Sequence, residues 1–107
     1  PIIESRDAID NLEDILSKKE IKKTMIGPYD LSSSLGQPGD FKSNLFKSLI
    51  KRYKDCSLSM GKEIGIHVVE PSIKDLNQKI KENYQFIAFS TDAIILDRAL
   101  SSALESI

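Results

Sequence analysis

The chain lacks the features of disulfide-rich, membrane-spanning and nucleic-acid-binding proteins. Its 107 residues include one cysteine, Cys56, which cannot form an internal disulfide and has no second thiol for a metal motif. No apolar run approaches the ~20 residues of a transmembrane helix, and no signal peptide is visible. Fifteen basic and sixteen acidic residues nearly cancel, so no global field attracts nucleic acid or anionic membrane. These absences favour a cytoplasmic protein whose partners are neither nucleic acid nor membrane.

The start of the chain indicates a piece of something longer. Pro1 is followed by Ile2 and Ile3, which resemble the middle of a strand, and there is no initiator methionine. The length fits one domain covering residues 1–107, without linker, repeat or low-complexity segment. We therefore expect a fragment of a larger protein.

Four short apolar runs alternate with four amphipathic stretches. The predicted strands are residues 2–4, 24–27, 64–69 and 86–89, and a polar loop is predicted over residues 31–40. The helices should bury apolar residues recurring at helical spacing: Ala8, Leu12, Ile15 and Leu16; then Leu45, Phe46, Leu49, Ile50 and Tyr53, with Cys56 on the same face; then Ile73, Leu76 and Ile80; then Ile95, Ala99 and either Leu96 or Leu100. This βαβαβαβα pattern predicts a parallel sheet with right-handed crossovers.

The fold class expected is α/β, specifically half of an eight-stranded (β/α)8 barrel with four βα units. The strands are apolar on both faces, so they need helices on one side and further structure on the other. An open doubly wound sheet is the alternative, although the first turn lacks the glycines of a dinucleotide site.

Two acidic residues follow consecutive predicted strands, Glu4 after the first and Asp30 after the second. Carboxyl ends of parallel strands meet at one sheet edge, so these carboxylates can form half of a site for a hard divalent cation. Glu4 alone could equally cap the following helix. Ahead of Asp30, Gly27 and Pro28 make a stiff turn that can aim the amides of Tyr29 and Asp30 at an anionic ligand.

These segments resemble the HpcH/HpaI aldolase family, within the citrate-lyase-like superfamily, over essentially the whole chain. The resemblance matches the carboxyl-terminal half of the barrel and rests on the segments Ile3 to Ala8, Asn11-Leu12, Ile26 to Ser32, Leu35-Gly36, Pro38-Gly39, Gly61-Lys62, Gly65-Ile66-His67 and Phe86-Ile87-Ala88 with Asp92. Of these, Gly-Pro-x-Asp-Leu-Ser is the most specific.

The resemblance implies a class II aldolase that cleaves a 2-oxo-4-hydroxy acid to pyruvate, or a related oxoacid, and an aldehyde. Glu4 and Asp30 would hold Mg²⁺, Mn²⁺ or Co²⁺, which acts as a Lewis acid on the oxoacid. Gly27, Pro28 and Tyr29 would bind substrate, the Tyr29 amide contacting its carboxylate. The full-length parent is expected to be a homo-oligomer.

The resemblance also places the catalytic histidine and arginine upstream of Pro1, so this chain should contain no complete catalytic set and little activity. His67, the only histidine, is expected to line the barrel interior or pocket wall, with substrate contact secondary. Two alternatives stay open. One is a citrate-lyase-type enzyme acting on CoA esters, and the other is a non-catalytic half-barrel used in assembly.

The remaining polar candidates have simpler explanations. The serines Ser32, Ser33 and Ser34 have no basic partner in sequence and should serve a turn or helix cap. Asp92 is expected to cap the last helix or to belong to a substrate loop, and Arg6 and Arg98 are expected to be surface charges.

Overall fold

The computed structural model describes all 107 residues as one parallel sheet with six helices. The strands are β1 (Ile2–Ile3), β2 (Lys23–Ile26), β3 (Glu63–Val68) and β4 (Phe86–Phe89). The helices are α1 (Arg6–Asp10), α2 (Leu12–Leu16), α3 (Pro28–Ser34), α4 (Asn44–Ser59), α5 (Ile73–Lys81) and α6 (Asp92–Glu105). No helix is long and apolar enough to cross a membrane.

The strands lie in the order β1-β2-β3-β4 and every neighbouring pair is parallel. One row of isoleucines crosses the whole sheet in register: Ile3, Ile26, Ile66 and Ile87. Because side chains alternate between the two faces of a strand, the next position along each strand lies on the opposite face. The sequential strand order and alternating helices confirm the expected α/β architecture.

The isoleucine row faces the helices and forms the centre of the core. Ile3, Ile26 and Ile66 are almost fully buried, together with α-helical residues that include Ile9, Leu12, Leu16, Leu31, Leu49 and Tyr53. Cys56 lies half-buried beside this cluster, close to its expected place. The predicted apolar faces of the first two amphipathic segments therefore form the core, although Leu45 is exposed.

Two local predictions were wrong near the first two strand ends. The first helical segment is interrupted at Asn11, so α1 and α2 are separate five-residue helices. The stretch predicted as a loop from residue 31 lies partly in α3, which begins at Pro28. Proline is favoured at the first helical position because its missing N–H would be unpaired there anyway.

The apolar faces predicted for the last two helices are largely uncovered. Leu76 of α5 is half-buried against the sheet, but Ile73 is 65% exposed and Ile80 56% exposed. In α6, Ile95 is 45% exposed and Leu96 and Leu100 are each 63% exposed. Crossover helices pack across a strand pair, and α6 follows the edge strand β4 of this sheet, so it has no strand pair to cover. The prediction that these side chains enter a core was therefore wrong for this chain.

The face opposite the helices has little cover. Phe86 lies across Gly65 on this face, and the Lys23 ammonium stands 5.6 Å from the centre of the Phe86 ring. Ile2, at the edge strand, is about half exposed. A complete barrel would bury this face, so the chain has the shape of part of a larger barrel.

Candidate metal and substrate site

The predicted site residues lie at or next to the carboxyl edge of the sheet. Glu4, Gly27, His67 and Ala88 each lie one position beyond the isoleucine row, so they share the face opposite the helices. Glu4 directly follows β1, and Gly27 directly follows β2 and donates its amide to the Ile3 carbonyl at 2.9 Å. Strand alternation therefore places Glu4 beside Gly27.

Glu4 lies against the surface that glycine leaves open. A β-carbon built on Gly27 would stand 3.2 Å from Cβ of Glu4 and 3.4 Å from its Oε2. Few real β-carbons approach another atom as closely as 3.2 Å, so a side chain at this position would push the Glu4 side chain away by a few tenths of an ångström. Gly27 has an ordinary φ of −103°, so its lack of a side chain matters here more than its flexibility.

Asp30 stands in the first turn of α3, next to the same strand end. Leu31, the residue after Asp30, donates its amide to the Gly27 carbonyl at 2.9 Å. This bond holds the turn that contains Asp30 next to the end of β2. Both Asp30 and Glu4 are exposed. Both residues are therefore accessible to solvent at this edge of the chain.

The donor set fits a hard cation that keeps part of its water shell. No group of three or more His, Cys, Asp or Glu side chains is close enough to supply a full protein coordination sphere. Magnesium-like ions take one or two carboxylates and retain several waters. Two carboxylates, one of them seated over Gly27, therefore suit such an ion and leave positions for a bidentate ligand.

His67 is half-buried on the same face, two strands from Glu4. Its Nε2 lies 3.0 Å from the carbonyl oxygen of Ser90. A carbonyl only accepts hydrogen bonds, so Nε2 carries the proton and donates. Ser90 itself has a φ of 60°, in the left-handed region that serine rarely adopts, so the His67 partner sits at a strained turn after β4.

A cleft of about 710 Å³ adjoins this edge from the helix side. Pro28, Tyr29 and His67 line its upper part, and Phe46 and Ile50 of α4 form an apolar wall. Glu4, Gly27 and Asp30 do not line it. The predicted residues thus divide between the open carboxylate edge and the cleft.

Two of the three serines, Ser32 and Ser34, have a more specific role than a simple turn. Ser32 is fully buried, donates to the Tyr29 carbonyl at 2.6 Å and accepts the Gly39 amide at 2.8 Å. Ser34 accepts the Arg6 amide at 3.1 Å, so it caps α1 from another helix. No sequence signal could have shown this contact because the residues are 28 positions apart.

The strand-end acids of the other two units serve structural contacts. Glu70, after β3, pairs with the exposed Arg98 at 2.8 Å, and this contact raises the pKa of the Arg98 guanidinium. Asp92 begins α6 and accepts the Ala93 amide at 2.8 Å, while Thr91 is the N-cap.

Comparison with known proteins identifies the family. The family model for HpcH/HpaI aldolase/citrate lyase matches residues 2–99. The chain is 30% identical over 97 residues to a hydroxypyruvate/pyruvate aldolase of Chromohalobacter salexigens, covering 91% of this chain and 37% of that protein. It is 31% identical over 102 residues to a 2-keto-3-deoxy-L-rhamnonate aldolase of Escherichia coli, covering 95% and 38% respectively.

The fold gives the same assignment. The crystal structure of a HpcH/HpaI aldolase/citrate lyase family protein from Burkholderia cenocepacia superposes with a TM-score of 0.88 at 27% identity, over 98% of this chain and 40% of that one. The chain thus spans less than half the length of its relatives. On these matches, the chain belongs to the HpcH/HpaI aldolase/citrate lyase family and forms part of its larger barrel.

Proposed function

We propose that this chain carries the metal half-site of a class II aldolase that cleaves a 2-oxo-4-hydroxy acid to pyruvate, or a related oxoacid, and an aldehyde. The observation that carries the proposal is the placement of Glu4 over Gly27, next to the helix that bears Asp30. The names of the two aldolase relatives support the reaction class. We also propose that the full-length parent is located in the cytoplasm and forms a homo-oligomer.

Glu4 and Asp30 would hold Mg²⁺, Mn²⁺ or Co²⁺, which supplies Lewis-acid polarisation of the oxoacid. Gly27 gives the Glu4 carboxylate room to lie at the sheet edge. Pro28 fixes the start of α3, so that the Tyr29 amide is available to a substrate carboxylate. His67 would contact the substrate from the face that it shares with Glu4, with Nε2 held by the Ser90 carbonyl.

In this proposal, the chain does not supply all the residues needed for proton transfer. The base histidine and the carboxylate-binding arginine are expected in the part of the barrel that precedes Pro1. We therefore expect the isolated 107 residues to show little or no turnover. Robust cleavage by the isolated chain would contradict this division of roles.

The metal site is tested by charge-neutral substitution in the full-length protein. Glu4→Gln and Asp30→Asn should each greatly weaken Mn²⁺ binding and abolish metal-dependent cleavage, because each removes an anionic ligand. Asp14→Asn and Glu20→Gln are matched controls. Asp14 is an exposed acid in α2, and Glu20 is an exposed acid in the turn that precedes β2. Calorimetric titration showing unchanged Mn²⁺ affinity in both site variants would exclude this site.

Substrate class is tested separately, because the family description includes citrate lyase. The full-length protein should act on oxoacid plus aldehyde rather than on CoA thioesters. Turnover restricted to CoA thioesters would instead support the citrate-lyase-type alternative. Metal binding without either reaction would favour the non-catalytic assembly role.

A further inference from the structure

A closed ring of hydrogen bonds joins the two chain segments that bear Glu4 and Asp30. The Gly27 amide donates to the Ile3 carbonyl at 2.9 Å, and the Leu31 amide donates to the Gly27 carbonyl at 2.9 Å. The Ser34 hydroxyl donates to the Leu31 carbonyl at 2.7 Å and accepts the Arg6 amide at 3.1 Å. Backbone from Ile3 to Arg6 completes the ring.

Glu4 is part of this ring, in the covalent stretch between Ile3 and Arg6. Asp30 lies in the helical turn that the bond from Leu31 to Gly27 closes. Ser34 is the only residue that contributes a side chain to the ring. Its hydroxyl has one donor and two acceptor sites, so both of its bonds can exist together.

We propose that Ser34 is a positioning residue that fixes the spacing between Glu4 and Asp30, an inference that rests on the proposed metal site. The Gly27 amide ties the two strands on one side of the carboxylates, and Ser34 ties α1 to α3 on the other. With two ties, the strand ends cannot rotate apart about a single bond. Ligands must be held to within about half an ångström for tight binding, so the second tie should set metal affinity.

The Arg6 amide is a suitable partner for this role. It is the first amide of α1, so it has no acceptor within its own helix. The Ser5 side chain caps the Ala8 amide instead. Ser34 is therefore the protein acceptor of an amide two residues after Glu4 that has none within its own helix.

Ser48 provides a matched comparison within the chain. Its hydroxyl donates to the Leu45 carbonyl at 2.7 Å, the same three-residue separation and distance as in the bond from Ser34 to Leu31. Ser48 is exposed on α4, and its hydroxyl has no bond to a distant segment. Ser48→Ala therefore measures the local effect of removing a helical serine.

The test uses the full-length protein and calorimetric Mn²⁺ titration. Ser34→Ala should weaken Mn²⁺ binding by about tenfold, the usual lower bound for loss of a group that orients metal ligands. Ser34→Thr, which keeps the hydroxyl, should bind as the unaltered protein does, and so should Ser48→Ala. Equal affinity in Ser34→Ala and Ser48→Ala would overturn the positioning role while leaving the metal site intact.

A second pair of variants removes the bond from the other side, should Ser34→Ala fail to fold. Arg6→Pro lacks the amide hydrogen, and proline is favoured at a first helical position after an extended residue such as Ser5. Arg6→Ala loses the same side chain but keeps the amide. We expect Arg6→Pro to bind Mn²⁺ about tenfold more weakly than Arg6→Ala. Equal affinities would refute the proposal, and no binding by the unaltered protein would refute the metal site itself.

Discussion

Cβ of Glu4 lies 3.2 Å from the position that a β-carbon on Gly27 would take, closer than most real β-carbon contacts. Gly27→Ala should therefore shift the Glu4 side chain by a few tenths of an ångström without unfolding the protein, because φ at this position suits alanine. We expect Mn²⁺ affinity to fall in the full-length protein while the thermal midpoint without metal changes little. Wild-type affinity in Gly27→Ala would show that the close approach has no role in the site.

The contact between Gly65 and Phe86 should control stability on the open face of the sheet. These residues are register partners in β3 and β4, and a β-carbon on Gly65 would overlap the Phe86 ring. Gly65→Ala should lower the free energy of unfolding by about 1–3 kcal/mol, the usual cost of overpacking. In a Phe86→Ala background the same change should cost much less, as a double-mutant cycle in denaturant would measure. Equal costs in both backgrounds would contradict the overlap.

Two buried tyrosines should respond differently to loss of the hydroxyl. The Tyr53 hydroxyl lies 3.0 Å from both Oγ1 and the carbonyl of Thr24, whereas the Tyr84 hydroxyl has no partner among protein atoms. Burial raises the pKa of both phenols, so both are neutral donors near pH 7. Tyr53→Phe should cost roughly 1–2 kcal/mol of unfolding free energy and Tyr84→Phe almost nothing. The reverse order, in denaturant titrations, would show that the Tyr84 hydroxyl is paired.

Low pH should weaken the contact of Glu82 with Gln78 and Lys79 at the end of α5. Burial alone would raise the pKa of Glu82, but hydrogen bonds from Gln78 and Lys79 outweigh it and lower that pKa below its usual value. A lowered pKa in the folded state means that the ionised form stabilises the protein above the unfolded pKa. The stability gap between the unaltered protein and Glu82→Gln should therefore shrink as the pH falls below about 4. A gap that is constant with pH would contradict this assignment.

The apolar runs were sufficient to predict the sheet. The row of Ile3, Ile26, Ile66 and Ile87 follows from four short runs that are apolar on both faces and separated by helix-sized segments. Such runs are typical of the buried strands of βα units, so their composition and spacing were enough to identify them. The same pattern could not show that Ile73 and Leu100 are exposed, because burial depends on which neighbouring strand or helix is present.

The motif around Gly27 and Asp30, with its spacing from Glu4, was enough to predict the family. The same spacing predicted that Glu4 and Asp30 lie at one sheet edge, because the carboxyl ends of neighbouring parallel strands lie at the same edge. Only the tertiary structure could show that Gly27 makes room for Glu4 and that Ser34 bonds to Arg6. Those contacts join residues more than twenty positions apart, and their distances depend on how β1, β2 and α3 pack. Local sequence sets which residues reach the edge, and packing sets how far apart they stand.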